Sequence, residues 1–123
     1  MLWKKTKGLP YVASAIYYRG QLVSVRDGGI VVACDAETGD QAYQERIAAP
    51  GRYYASPVAA GGNIYFTGLE NGVVTVVKAA SPKPVAVAQA PELGERCSAT
   101  PAIADDTLYV RTATHLYAFA EKK

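Results

Sequence analysis

With 123 residues and a mass of 13.1 kDa, the chain has room for one ordinary domain and not for two. Half of its residues are hydrophobic and 20% are charged, the balance of a folded chain and not of a disordered one. A net charge of +2 is too weak to argue for a nucleic-acid or membrane-surface partner, no run of about 18 apolar residues offers a membrane span, and two cysteines make no disulfide scaffold.

In chain order, Met1-Leu2-Trp3-Lys4-Lys5 comes first, with no apolar stretch after its lysines. No signal peptide is read there, so the cytoplasm is the default expectation. Residues 1–10 read as one isolated strand. Residues 11–51 open on the small-residue step Ala13-Ser14-Ala15-Ile16, continue through Gly20-Gln21-Leu22-Val23, and turn at Gly28-Gly29 into Ile30-Val31-Val32. The longest helix-like stretch, Ala36 to Ile47, carries Thr38-Gly39 inside it, which argues for a turn instead. Residues 52–94 repeat the pattern, with Ala55-Ser56-Pro57-Val58, then Gly62-Asn63-Ile64-Tyr65-Phe66, then Asn71-Gly72-Val73-Val74-Thr75. Four strands, A to D, are expected there at 55–59, 63–67, 73–78 and 84–89. Residues 95–123 begin it a third time with Ala99-Thr100-Pro101-Ala102, followed by strands A to C at 101–104, 107–112 and 116–120, and have no strand D.

The anchors recur with one period. Ser14 to Ser56 is 42 positions and Ser56 to Thr100 is 44, while Gly29, Gly72 and His115 are spaced by 43. A repeat near this length, made of four short antiparallel strands joined by glycine turns, is the signature of a β-propeller blade. A β-sandwich accounts for the strands but not for the period. The expected fold is therefore all-β, with three propeller blades per chain.

The segment Ala33-Cys34-Asp35-Ala36-Glu37-Thr38-Gly39-Asp40-Gln41-Ala42-Tyr43 resembles the pyrroloquinoline-quinone-type propeller repeat, Ala-x-Asp-x-x-Thr-Gly-x-x-x-Trp. Ala55-Ser56-Pro57-Val58 with Gly62-Asn63-Ile64-Tyr65 is similar to that family's blade opening. The resemblance implies that Asp and Thr-Gly shape the turn from strand C to strand D, and that the aromatic residue on D packs between blades. Tyr43 stands where the family has Trp, Ala86 stands there in the second repeat, and Ser81-Pro82 replaces Thr-Gly. Quinone-dependent members carry an adjacent Cys-Cys pair and a tryptophan platform. Cys34 and Cys97 are far apart in sequence and Trp3 is assigned to an outer strand, so the resemblance is to the non-enzymatic branch, and no cofactor is expected. Both cysteines read as free thiols.

Aligned by the period, Trp3 falls on a strand D whose own blade is missing, while the last blade lacks one. A three-bladed ring would need about 120° per blade, and propellers use typically 4–8 blades. The reading is a homodimer of six blades, in which the N-terminal strand (Leu2, Trp3) of each chain pairs with the last strand (Leu116, Tyr117, Phe119) of the other. A nine-bladed trimer and a piece of a longer propeller are the competing readings.

The D-to-A and B-to-C loops share one propeller face. They would bring Pro10, Tyr11, Arg52, Tyr53, Glu95 and Arg96 together with Arg26, Asp27, Glu70, Asn71, Thr114 and His115 around the channel mouth. Arg52, Tyr53, Arg96 and His115, with Asp27, Glu70 and Glu95, are the candidate ligand face for a protein or small polar ligand. The plainer reading is that these side chains cap loops and pair with one another. His115 is the only histidine and takes the place of Gly29 and Gly72 at a turn, which is weak support for metal binding or catalysis. Ser14, Ser56 and Ser98 lie at strand openings without a triad, and no phosphate loop is present. The function expected is a non-enzymatic binding or scaffolding module. An enzyme with its site on the dimer axis is the alternative.

Overall fold

The computed structural model describes residues 1–4, 6, 9–10, 12–90 and 92–120. Eleven strands form three antiparallel sheets, and no helix occurs among the described residues. The first sheet has the order β1 (Ile16–Tyr18), β2 (Gln21–Arg26), β3 (Ile30–Asp35), β4 (Gln41–Arg46). The second is β5 (Val58–Ala60), β6 (Asn63–Thr67), β7 (Val74–Lys78), β8 (Ala86–Gln89). The third has three strands, β9 (Ala102–Ala104), β10 (Thr107–Arg111) and β11 (Leu116–Ala120). Every connection within a sheet is a hairpin between sequence neighbours, and β1 lies beside β5 as β5 lies beside β9. These are the three expected blades.

The first strands start later than the sequence indicates. The expected opening at Ala55 becomes a strand only at Val58, because Pro57 has no N–H for a ladder and Ser56 turns towards the neighbouring blade. The Ser56 amide donates to Thr100 Oγ1 at 3.0 Å, and the Ser14 amide donates to Ser56 Oγ at 2.9 Å. A chain of polar contacts thus stitches the three blade openings together.

The turn from β3 to β4 owes its shape to Asp35, whose Oδ1 accepts from the amides of Glu37 at 2.9 Å and Thr38 at 3.0 Å. Thr38 Oγ1 accepts from Asp40, and Gly39 takes a φ of 78° that suits glycine. Those amide bonds from Thr38 and then Glu37 hold the Asp35 carboxyl below its ordinary value.

Between the first and second blades lies the main core, made of Val23, Val25, Val31, Ala33, Tyr43, Ile64, Phe66, Val77 and Ala79 with Tyr53. Tyr43 is buried there, as expected of the aromatic residue on strand D, and burial pushes its hydroxyl pKa up. The core between the second and third blades has only Val74, Cys97 and Val110 fully buried. The difference follows from the sequence. All four residues of β8 are exposed, and the ladder places Ala88, not the expected Ala86, where β4 has Tyr43: Tyr43 lies opposite Ala33, and Ala88 lies opposite the equivalent Val76, so no ring is offered there. Cys34 and Cys97 are buried free thiols, and burial raises the thiol pKa of Cys97.

Trp3 lies against its own first blade. Its indole N–H donates to the carbonyl of Ala36 at 3.0 Å, and its ring covers Gly39 so closely that a Cβ there would fall 2.6 Å from Cδ2. Residues 1–4 pair with no strand of the single chain. Leu2 is 88% exposed, and on β11 Leu116 and Phe119 are 71% and 39% exposed.

Candidate functional site

Hydrogen bonds join the D-to-A loops to the B-to-C loops on one face. Entering the second blade, Arg52 Nε meets Glu70 Oε1 at 2.8 Å, and the Arg52 amide donates to Glu70 Oε2 at 3.1 Å. This doubly bonded partner lowers the Glu70 pKa and holds Arg52 more firmly protonated. The next amide, Tyr53, donates to Asp27 Oδ1 of the first blade at 3.0 Å. The Tyr53 side chain is buried between blades, with its hydroxyl donating to the Ala49 carbonyl at 2.5 Å, and burial drives its pKa up.

At the third blade the polarity reverses. The acid is now on the D-to-A loop, and the donors are on the B-to-C loop. Glu95 accepts from Thr112 Oγ1 at 2.9 Å, from Thr114 Oγ1, and meets His115 Nδ1 at 2.7 Å. The bonds from Thr114, then His115 and Thr112, hold the Glu95 carboxyl below its ordinary value. His115 stacks obliquely on Tyr117, whose ring continues onto Phe119. His115 therefore closes the turn into β11 and starts an aromatic row along that edge.

Of the residues expected at the mouth, Arg52, Tyr53, Asp27 and Glu70 are brought together at one blade junction, and Glu95 and His115 at the next. Arg96 shares with Arg111, Ser98 and Thr112 a concavity of about 130 Å³. A second concavity of about 170 Å³ is lined by Glu70, Asn71, Gln89 and Glu92. Tyr11 lies outside the described residues. Thr112 and Thr114, which complete the Glu95 cluster, and Arg111 carry no motif by themselves. Comparing each position with its equivalent one period earlier is the signal that finds them.

Trp3 is spent on the β3–β4 turn, and Cys34 and Cys97 hydrogen-bond separately to the carbonyls of Leu22 and Arg111. Among the described residues, no three His, Cys, Asp or Glu side chains converge on a point.

Three- and four-stranded antiparallel blades, repeated at one period and joined through a polar ladder at their openings, define a β-propeller built of PQQ-like repeats. The chain belongs to the family described as "Outer membrane protein assembly factor BamB", whose profile matches residues 2–123. Among solved structures it is similar to BamB from Moraxella catarrhalis, with a TM-score of 0.66 and 20% identity over 85% of this chain. That likeness concerns the fold. The chain spans about a third of the solved relative, 32% of its length. No curated protein matches.

Proposed function

We propose that the chain is a non-enzymatic binding and scaffolding module of the BamB type, and that two copies close one six-bladed ring. The observation that carries the reading is the open polar ladder. The Ser14 amide donates to the Ser56 hydroxyl, and the Ser56 amide donates to the Thr100 hydroxyl. Two ends of this ladder are left among the described residues: the hydroxyl of Ser14 and the amide of Thr100. A second copy related by a two-fold axis supplies each end with its complement, so the ladder runs unbroken around the channel.

The outer edges support the same arrangement. Among the described residues β11 is an unpaired edge carrying exposed Leu116 and Phe119, and unpaired edges invite strand addition. Trp3 fixes the N-terminal segment on the first blade, with Leu2 exposed beside it, where the preceding blade of a ring would stand. Leu2 and Trp3 of one copy against Leu116, Tyr117 and Phe119 of the other is the contact proposed. The mouth face, with Arg52, Tyr53, Glu70, Asp27, Glu95, Arg96 and His115, is the binding face for a protein or small polar partner. The family's description as an outer membrane assembly factor supports an envelope setting over the cytoplasmic expectation.

A second reading draws on the coverage of the solved relative. In it these three blades belong to a longer ring, and further blades of the same polypeptide cover the same two edges. One experiment separates the two. In a background with Cys34 and Cys97 replaced by alanine, Ser14→Cys with Thr100→Cys forms a covalent dimer on mild oxidation if two copies complete the ladder. A product that remains monomeric contradicts ring closure by a second copy.

A further inference from the structure

Repeat equivalence exposes a site in the third blade. The openings Arg52-Tyr53-Tyr54-Ala55-Ser56-Pro57 and Arg96-Cys97-Ser98-Ala99-Thr100-Pro101 align, so Arg96 is the equivalent of Arg52. The strand registers make Arg111 the equivalent of Thr67, and three residues on Thr114 stands where the second blade has Glu70. In the second blade Arg52 is paired to Glu70, and Thr67 is buried and uncharged. In the third blade the acid is replaced by a threonine and the threonine by a second guanidinium. Arg96 and Arg111 are both exposed and line, with Ser98, Ala99 and Thr112, the concavity of about 130 Å³. At about 30 Å³ per water, that space holds a few waters or one small polyatomic anion.

The two guanidiniums have no acidic partner among the described residues. Glu95, adjacent to Arg96 in the chain, is committed elsewhere, its oxygens taken by Thr112, Thr114 and His115. The contrast with Arg52, paired twice to Glu70, is direct. Two like charges facing one concavity repel until an anion lies between them. The planar guanidinium fork suits an oxyanion, and the exposed Ser98 hydroxyl adds a donor on the same wall.

We infer that Arg96 and Arg111, with Ser98, form an oxyanion-binding site at the channel mouth of the third blade, which takes a carboxylate or phosphate group of the bound partner. The inference deepens the reading of the mouth as a binding face. It does not depend on ring closure, because both arginines belong to one blade of one copy, so binding can succeed or fail whatever the solution mass.

The test is a titration of the full chain with inorganic phosphate and, separately, with succinate, following the side-chain Nε–H resonances of Arg96 and Arg111 by NMR, with chloride at matched ionic strength as control. Saturable one-site shifts of both resonances are expected. Response to phosphate alone assigns a phosphate group, to succinate alone a carboxylate, and to both a general oxyanion site. Shifts no different from chloride overturn the inference. Arg96→Gln with Arg111→Gln removes both charges and should abolish the response. Single Arg96→Gln and Arg111→Gln variants, which keep the surface polar, should each weaken it about tenfold or more. Undiminished saturable binding in the single variants also overturns the inference.

Discussion

Trp3 donates its indole N–H to the carbonyl of Ala36, 33 residues downstream, and lies flat over Gly39 on the β3–β4 turn. Ala36 has an equivalent in the second blade. The Ala36 amide donates to the Gly20 carbonyl as the Ala79 amide donates to Gly62, and Ala79 packs in the core that holds Tyr43. Trp3 therefore docks on the first blade at the place corresponding to Tyr43's on the second. The aromatic residue from one blade's outer strand rests on the next blade's turn.

Removing that contact should cost both stability and assembly. Trp3 is half-buried in the single chain, so Trp3→Ala is expected to destabilise by about 2 kcal/mol, below the 3–5 kcal/mol of a fully buried aromatic. Gly39→Ala should act similarly, since its Cβ would collide with the indole and the residue sits at a φ of 78°. Chemical denaturation of both variants and the wild type checks this. An unchanged midpoint for Trp3→Ala would remove Trp3 from the structural account.

Thr67 and Thr75 predict opposite results for one substitution. Thr67 Oγ1 is buried with no hydrogen-bond partner among the described residues. Thr67→Val should raise stability by about 1 kcal/mol. Thr75 Oγ1 accepts from the buried Ala49 amide at 3.1 Å, so Thr75→Val leaves that amide unpaired and should cost about 1–3 kcal/mol. Thermal melts of the two variants side by side report the difference in sign.

Acid should destabilise the protein through three carboxylates. Hydrogen bonds depress the pKa of Glu95 and Glu70 below 4.5 and that of Asp35 below 3.8, so each binds its proton more weakly folded than unfolded. Their contribution is fully present above those ordinary values and is lost as the pH falls through the depressed ones. The melting temperature should therefore fall as the pH drops below 4.5. Glu95→Gln should lower it at neutral pH and converge on the wild type in acid. A constant difference across the pH range would separate Glu95 from the acid response.

Much of the fold is legible in the sequence because its signals are local. The strands at 63–67 and 116–120 lie where glycine turns and β-branched or aromatic runs place them. The Asp35-Thr38-Gly39 turn forms through the side-chain bonds that those residue types favour. Less legible are the features made between blades. Ser14, Ser56 and Thr100 read as small residues opening strands, yet their amides and hydroxyls leave the sheet and join one blade to the next. The cluster around Glu95 needs Thr112 and Thr114, which only folding brings to it. The arginines at 96 and 111 stand out once Arg52, the equivalent of Arg96, shows its carboxylate partner in the second blade.

The central claim is that two copies of the chain complete one ring, and the mass in solution tests it most directly. Light scattering on a sizing column should give about 26 kDa, twice the chain mass of 13.1 kDa. The value should fall when residues 1–5 are removed, because β11 of the partner then loses its fourth strand. A mass of 13.1 kDa for the intact chain would contradict ring closure by a second copy.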